Sequence, residues 1–493
     1  MMIQIGLLIF AVLGLSEIYK HLQLVLRALS FGVVIWIISR QDNPSVKLPW
    51  VILILLLPVF GGLLYLMFGT GRKSKQMQKK LEALQAKTLE FMPENDTVLE
   101  KLRARDISAG IQSYYLQNEC FMPVYQNTRT QYLSVGERAF KRILQELEKA
   151  QKYIFIEFFI ISEGVVWNKV LEILRQKAAQ GLEVRVLYDD AGCLSTLPRN
   201  YPEQLKAMNI KCQVFNRLHP ALNILMNHRD HRKLVLVDGY RAITGGINLA
   251  DEYINAVDRH GHWKDSAIYL EGNAVWTFTL MFLENWNACK PTDMDYNLFR
   301  PKLKADEKIP QDSYVQPYYD SPLDDELVGE SVYINMINHA QRYIYITTPY
   351  LVADNEVITA LCLAAKNGID VRIITPKIFD HWYVHMVTQA YYPQLISAGV
   401  KIYEYTPGFI HAKNFIADDK FATVGSINLD YRSLYHHYEC GVWMYRTQAV
   451  EEIRDDFLNI LPVCNQITEE TCQAVPWVIR CVRSILKIFA PLM

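Results

Sequence analysis

The sequence predicts an α/β fold: two pseudo-symmetric α/β sandwich repeats packed face to face, preceded by N-terminal transmembrane helices. Three observations lead there. The motif H-x-K-x-x-x-x-D occurs twice, from His231 to Asp238 and from His411 to Asp418. The stretches ahead of each copy match pairwise in pattern. Residues 1–70 are far more apolar than the rest of the chain.

The apolar part divides into segments at about 3–17, 22–39 and 48–68. Residues 48–68 carry no charge and as a helix would extend about 31 Å, the thickness of a bilayer core. Trp50 and Tyr65 sit near its ends, where amphipathic rings favour the interface. Pro58, Gly61 and Gly62 are tolerated in membrane helices. The 22–39 segment contains Arg27, which must snorkel or face a partner. The first segment is short for a span, and its flank lacks the positive charge of a cleaved signal. Arg72, Lys73, Lys75, Lys79 and Lys80 follow. By the positive-inside tendency they place the rest of the chain on the cytoplasmic side of the cell membrane, and they favour anionic headgroups. Residues 71–130 then read as a basic and polar connector, helical over 74 to about 105.

Two repeats follow, at 131–295 and 331–465, joined by a linker at 296–330. Tyr153–Phe158 parallels Tyr343–Thr348, Gly181–Leu187 parallels Gly368–Ile374, and Lys211–Phe215 parallels Lys401–Tyr405. Helical stretches at 170–179 and 357–365 separate the first two strands of each copy. Strands alternating with helices predict a largely buried sheet. The copies differ before the motif, where the first carries an apolar insert, Leu218 to Met226. That insert is either packed on its own domain or a lip that contacts acyl chains. At the C-terminus (466–493), Arg480, Arg483 and Lys487 share one face of a helix whose other residues are mainly apolar. This pattern suits a membrane-interface helix, or a helix docked on the protein's own surface.

Composition narrows the function. The net charge is −1, so the broad basic field of a nucleic-acid binder is missing and nucleic acid is not an expected partner. Nine cysteines without a C-x-x-C pair argue for a reducing compartment and against a disulfide framework. The oligomeric state leaves no trace in the sequence.

The doubled motif carries the chemistry. On a strand, His231 and Lys233 project to one side, as do His411 and Lys413. A charged lysine does not ligate a metal, so a site that pairs His with Lys twice suits a phosphate. Gly245 and Asn248 follow His231 at the distances at which Gly425 and Asn428 follow His411. Two Lys and two Asn then serve the phosphoryl oxygens, and two imidazoles divide into nucleophile and general acid. Asp238 and Asp418 close each motif and act from further out, at the next turns. A zinc site needs three or four ligands; His228 and His231 lack the others, so neither metal nor cofactor is expected.

The doubled motif with its Gly-Gly-Ile-Asn and Gly-Ser-Ile-Asn turns (245–248 and 425–428) resembles the phospholipase D superfamily. Together with Asn43–Trp50, Pro58–Gly62, Thr348–Leu351, Gly408–Lys413 and Asn428–Ser433, it is similar to the bacterial cardiolipin synthases over nearly the whole length. The turns differ only in that Ser426 stands where the first copy has Gly246, and both residues fit a tight turn.

That resemblance implies transfer of a phosphatidyl group between two phosphatidylglycerol molecules, through a phosphatidyl-histidine, to give cardiolipin and glycerol. His231 is the implied nucleophile and His411 the acid/base, with the reverse left open by the pseudo-symmetry. Glu439 matches the position that orients a catalytic His, and Asp265 is its weaker counterpart. The implied partners are phosphatidylglycerol, anionic lipid and the bilayer. A hydrolytic phospholipase D, a transferase using another alcohol, and a non-enzymatic lipid-binding protein are the alternatives.

Overall fold

A computed structural model describes residues 17–40, 43–66, 75–218, 228–293, 295–301, 313–323 and 326–492. Most of the 3–17 segment and nearly all of the 218–226 insert lie outside them.

The first repeat contributes β1 (Thr128–Leu133), β2 (Tyr153–Phe158), β3 (Glu183–Asp189), β4 (Lys211–Phe215), β5 (Arg229–Asp230), β6 (Lys233–Val237), β7 (Arg241–Gly245) and β8 (Ala267–Gly272). The second contributes β9 (Tyr314–Asp320), β10 (Tyr343–Thr347), β11 (Leu351–Val352), β12 (Asp370–Pro376), β13 (Lys401–Tyr405), β14 (Asn414–Ala417), β15 (Phe421–Gly425), β16 (Leu429–Asp430), β17 (His437–Tyr445) and β18 (Cys464–Ile467). The first sheet runs β1-β8-β7-β6-β2-β3-β4. The second repeats this order as β9-β17-β15-β14-β10-β12-β13 and adds β18 at its edge. In both, the two pairings that span helical crossovers are parallel and the motif strand is antiparallel to its neighbour.

Strands β2 and β10 are buried along their whole length, which accounts for their continuous aromatic and β-branched composition. Helices Val165–Ala179 and Asn355–Lys366 cover the outer faces, giving each repeat its own core. A third core lies between the sheets. There Phe155, Leu234 and Leu236 of one repeat meet Tyr345, Ile416 and Val442 of the other, with the buried helix Val275–Cys289 wedged beside them. The repeats are thus joined face to face by apolar packing.

The parts read as connector and linker carry structure that belongs to the second repeat. Residues 296–330 supply β9, paired along β17. Helices Asp96–Arg105 and Ile107–Asn118 bury Leu99, Leu102, Ala109 and Leu116 in its core.

The N-terminal segment differs from expectation. Residues 48–66 do not form one continuous helix: helix Pro44–Leu56 ends at Leu57, which takes φ −130° and ψ 73°, and helix Pro58–Leu64 follows. The cause is Pro58, whose ring disfavours helical backbone at the residue before it. Residues 22–39 lie within helix Glu17–Ser39, where Arg27 interrupts the apolar run. The helices fold back on one another around Val34, Ile37, Ile54 and Tyr65. Among the described residues no helix is long and apolar enough to cross a membrane.

Candidate active site

Each motif histidine sits where its chain crosses to the other repeat. β5 pairs in parallel with the start of β17, and the His231 N–H donates to the Tyr438 carbonyl over 2.9 Å. In the mirror arrangement Lys264 bridges to Ile410, and the His411 N–H donates to the Lys264 carbonyl over 2.7 Å.

The side chains are exchanged in the same way. His231 Nδ1 donates to Glu439 Oε1 over 2.8 Å, and His411 Nδ1 donates to Asp265 Oδ2 over 2.7 Å. Each motif histidine is therefore oriented by a carboxylate of the other repeat. With Nδ1 engaged, Nε2 is the free nitrogen on each ring. Lys233 Nζ donates to the His231 carbonyl, Lys413 Nζ to the His411 carbonyl, and Lys413 also lies 2.9 Å from His411 Nδ1. Both histidines and both lysines are at least nine-tenths buried.

The turns that follow explain why the two halves are not identical. At Gly245 and Gly425 a Cβ would overlap the backbone of the adjoining strand, so only glycine fits. At Gly246 a Cβ would strike the Asp265 carboxylate, whereas Ser426 donates its hydroxyl to Glu439 Oε2. The sequence treats Gly246 and Ser426 as interchangeable small residues; the structure couples each to the carboxylate it faces.

The remaining expected residues separate. Asn248 has its amide engaged, accepting from the Ile160 N–H and donating to the Tyr253 hydroxyl. Asn428 keeps a buried carbonyl oxygen with no hydrogen-bond partner, an acceptor open to a ligand hydroxyl and not to a phosphoryl oxygen. Asp238 and Asp418 touch neither imidazole. Each sits at positive φ (55° and 60°) and accepts from three successive backbone amides that open β2 or β10: residues 151–153 and 341–343. Replacing Asp418 by Ala leaves those donors unsatisfied and is expected to cost about 2–4 kcal/mol of stability. Turnover per folded molecule should be nearly unchanged, as read by denaturant unfolding alongside initial rates.

Several neighbours escaped the sequence reading. His437 is buried with neither ring nitrogen hydrogen-bonded, its ring 5.3 Å from that of His231 and its Nδ1 3.8 Å from Glu439 Oε1. Its signal was strand alternation, which sets residues 437 and 439 on one face. Phe159 packs 5.0 Å from His231, while Tyr253, Trp263 and Phe409 surround His411 at 5.6, 5.5 and 5.7 Å. His231, His437 and Glu439 could ligate a metal by geometry. The charges of Lys233 and Lys413, which act on the same carboxylates, suit an anion better.

Burial lowers the His231 imidazole to about 3 against the opposing pull of Glu439, and lowers His411 as well. Burial also brings Lys233 down to about 8 and Lys413 to about 7. A neutral His231 therefore faces the Lys233 cation in the free enzyme. Because kcat/KM reports free-enzyme groups, its acid limb for His231 is expected well below 6.5. Its alkaline limb should begin below pH 6.5, as His411 loses the proton it must donate, and steepen near pH 7–8, as the lysines lose charge. A pH–rate profile that holds level from 7 to 9 would contradict this.

Two family models match this chain. "Cardiolipin synthase, PLD-like domain" matches residues 143–259 and 333–461, and "Phospholipase_D-nuclease N-terminal" matches residues 28–69. A cardiolipin synthase of Halalkalibacterium halodurans is 33% identical over 468 residues, 94% of this chain and 91% of that one. The chain belongs to the cardiolipin synthase family. Another relative, an uncharacterized protein of Streptococcus mutans, is 42% identical over 467 residues, 94% of this chain and all of its own length. The crystal structure of a phosphatidylserine synthase from Haemophilus influenzae shares the fold, with a TM-score of 0.57 at 15% identity over 74% of this chain and 93% of that one. In this cardiolipin synthase family member both copies of the H-x-K-x-x-x-x-D motif are intact.

Proposed function

We propose that this phosphatidyltransferase converts two molecules of phosphatidylglycerol into cardiolipin and glycerol through a phosphatidyl-histidine on His231. The observation that carries the reading is the crossed pair His231–Glu439 and His411–Asp265, which leaves two Nε2 atoms and two lysines for one phosphodiester.

His231 Nε2 attacks phosphorus, and the bond to the glycerol oxygen breaks as protonated His411 supplies the proton that glycerol carries away. A hydroxyl of the second phosphatidylglycerol then gives its proton to His411, its oxygen attacks phosphorus, and the P–N bond breaks. His231 is returned neutral. The anionic phosphodiester favours the protonated His411 that the first step requires. Lys233 and Lys413 stabilise charge on the phosphoryl oxygens, while the Asn428 carbonyl oxygen is placed to accept from a ligand hydroxyl. Glu439, fixed by Ser426, steadies the positive charge that develops on His231.

Purified protein incubated with phosphatidylglycerol vesicles should yield cardiolipin and glycerol by mass spectrometry. Phosphatidic acid without cardiolipin would instead establish a hydrolase.

The apolar surface supports work at a bilayer; the basic cluster Arg72 to Lys80 is what favours the cytoplasmic side of the cell membrane for the repeats. Helix Trp477–Ile488 docks through two of its basic residues: Arg483 donates to the Gln389 side chain and Lys487 lies 3.9 Å from the Tyr391 ring. Leu486 packs on the core, but Trp477, Val478, Ile479, Val482 and Ile485 point outward, with Trp477 69% and Ile485 56% exposed. Ile378, Phe379 and Trp382 are exposed on the adjoining turn. That turn reaches the site, since Tyr350 donates to Asp380 and its ring approaches Phe409 beside His411. A surface reversed in this way suits lipid more than water. Trp477→Asp with Ile485→Asp is expected to reduce flotation with phosphatidylglycerol vesicles; unchanged flotation would remove this helix from the membrane contact.

A further inference from the structure

Away from the active site, three carboxylates converge where the second repeat meets the N-terminal helices. Glu330 lies in the first turn of helix Val328–His339, Asp354 caps helix Asn355–Lys366, and Glu356 lies in that helix's first turn. One oxygen from each comes within 4.8 Å of the others. Oxygens bound to one calcium at about 2.3–2.6 Å are at most about 5 Å apart, so a single ion reaches all three. Glu330 is only 5% exposed, and its Oε2 has no hydrogen-bond partner. Asp354 is 1% exposed and accepts from the Val357 N–H and, at 2.5 Å, from the Tyr435 hydroxyl.

Among the described residues no lysine or arginine forms an ion pair with any of the three. Buried like charges without a counter-ion demand either a shared proton or a cation. Burial, reinforced by Asp354, lifts the Glu330 carboxyl to about 9, the direction a bound cation would reverse. All-oxygen donors of this kind select a hard ion and not zinc or copper.

We propose that Glu330, Asp354 and Glu356 bind one hard divalent cation, Mg²⁺ or Ca²⁺, at the joint between the second repeat and the N-terminal helices. The site continues into those helices. Asn43 caps helix Pro44–Leu56, donates to the Tyr435 hydroxyl over 2.9 Å, and its side chain reaches Glu356. An ion among the carboxylates fixes Tyr435 and, through it, the entry to helix Pro44–Leu56. None of the three carboxylates touches the histidines or lysines of the active site.

The test uses the full-length protein in detergent micelles, with Ca²⁺ and Mg²⁺ followed by calorimetry and Tb³⁺ by luminescence sensitised from Tyr435. The expected result is one ion per chain and a higher unfolding temperature with Ca²⁺ or Mg²⁺ than with EDTA. Glu330→Gln and, separately, the exposed Glu356→Gln should each weaken binding about 10–100-fold while leaving turnover intact. In EDTA, Glu330→Gln should unfold close to the wild type, since the amide replaces a carboxyl that burial and Asp354 already hold neutral without the ion. Failure of the wild type to bind any of these ions at millimolar concentration would overturn the proposal, as would wild-type binding in both variants.

Discussion

Glu439→Gln lowers turnover by about 10⁴-fold, the loss expected when the carboxylate orienting a catalytic imidazole becomes an amide of the same shape. Glu439 is fully buried, accepts from His231 Nδ1, and takes the Ser426 hydroxyl on its other oxygen. An amide keeps much of this geometry but can present its NH₂ to Nδ1, which selects the tautomer with Nε2 protonated. It also removes the negative charge that opposes the rising charge on the ring. Initial rates of cardiolipin formation read the effect, and unfolding curves check that the variant remains native. A loss of less than about tenfold would mean that His231 does not depend on this partner. Asp265→Asn tests the mirror position.

His231→Ala and His411→Ala are each expected to reduce turnover by about 10⁶-fold, and the double variant by no more than either alone. Groups that act as one unit are not additive, because the first deletion already abolishes the shared pathway. This follows from the crossed geometry: the two rings come from different repeats, yet each is positioned by the repeat that holds the other. Separate sites in each half would instead leave each single variant with about half the activity. Rates of the three variants distinguish the two arrangements.

Much of this architecture was legible because the chain states it twice. The strands ahead of each motif matched in spacing, and β2, β3 and β4 appear opposite β10, β12 and β13 as that matching required. His231, Lys233, His411 and Lys413 converge because both motifs begin where the chain crosses to the other repeat. What remained hidden depends on contacts distant in sequence. Nothing local marks residues 314–320 as the partner of β17, since an edge strand is defined by its neighbour. The roles of Gly246 and Ser426 depend on which carboxylate each faces. Asn248 looks equivalent to Asn428 until Tyr253 engages its amide. The span expected at 48–68 came from hydropathy, which does not register that Pro58 breaks the helix at Leu57.

The proposed site is a single bipartite centre with His231 as nucleophile, and trapping the intermediate tests that most directly. Protein quenched in acid during turnover of labelled phosphatidylglycerol, then digested and sequenced by mass spectrometry, should carry the phosphatidyl group on His231. The adduct should be absent from His231→Ala. An adduct on His411, or one that persists in His231→Ala and is lost in His411→Ala, would contradict the assignment.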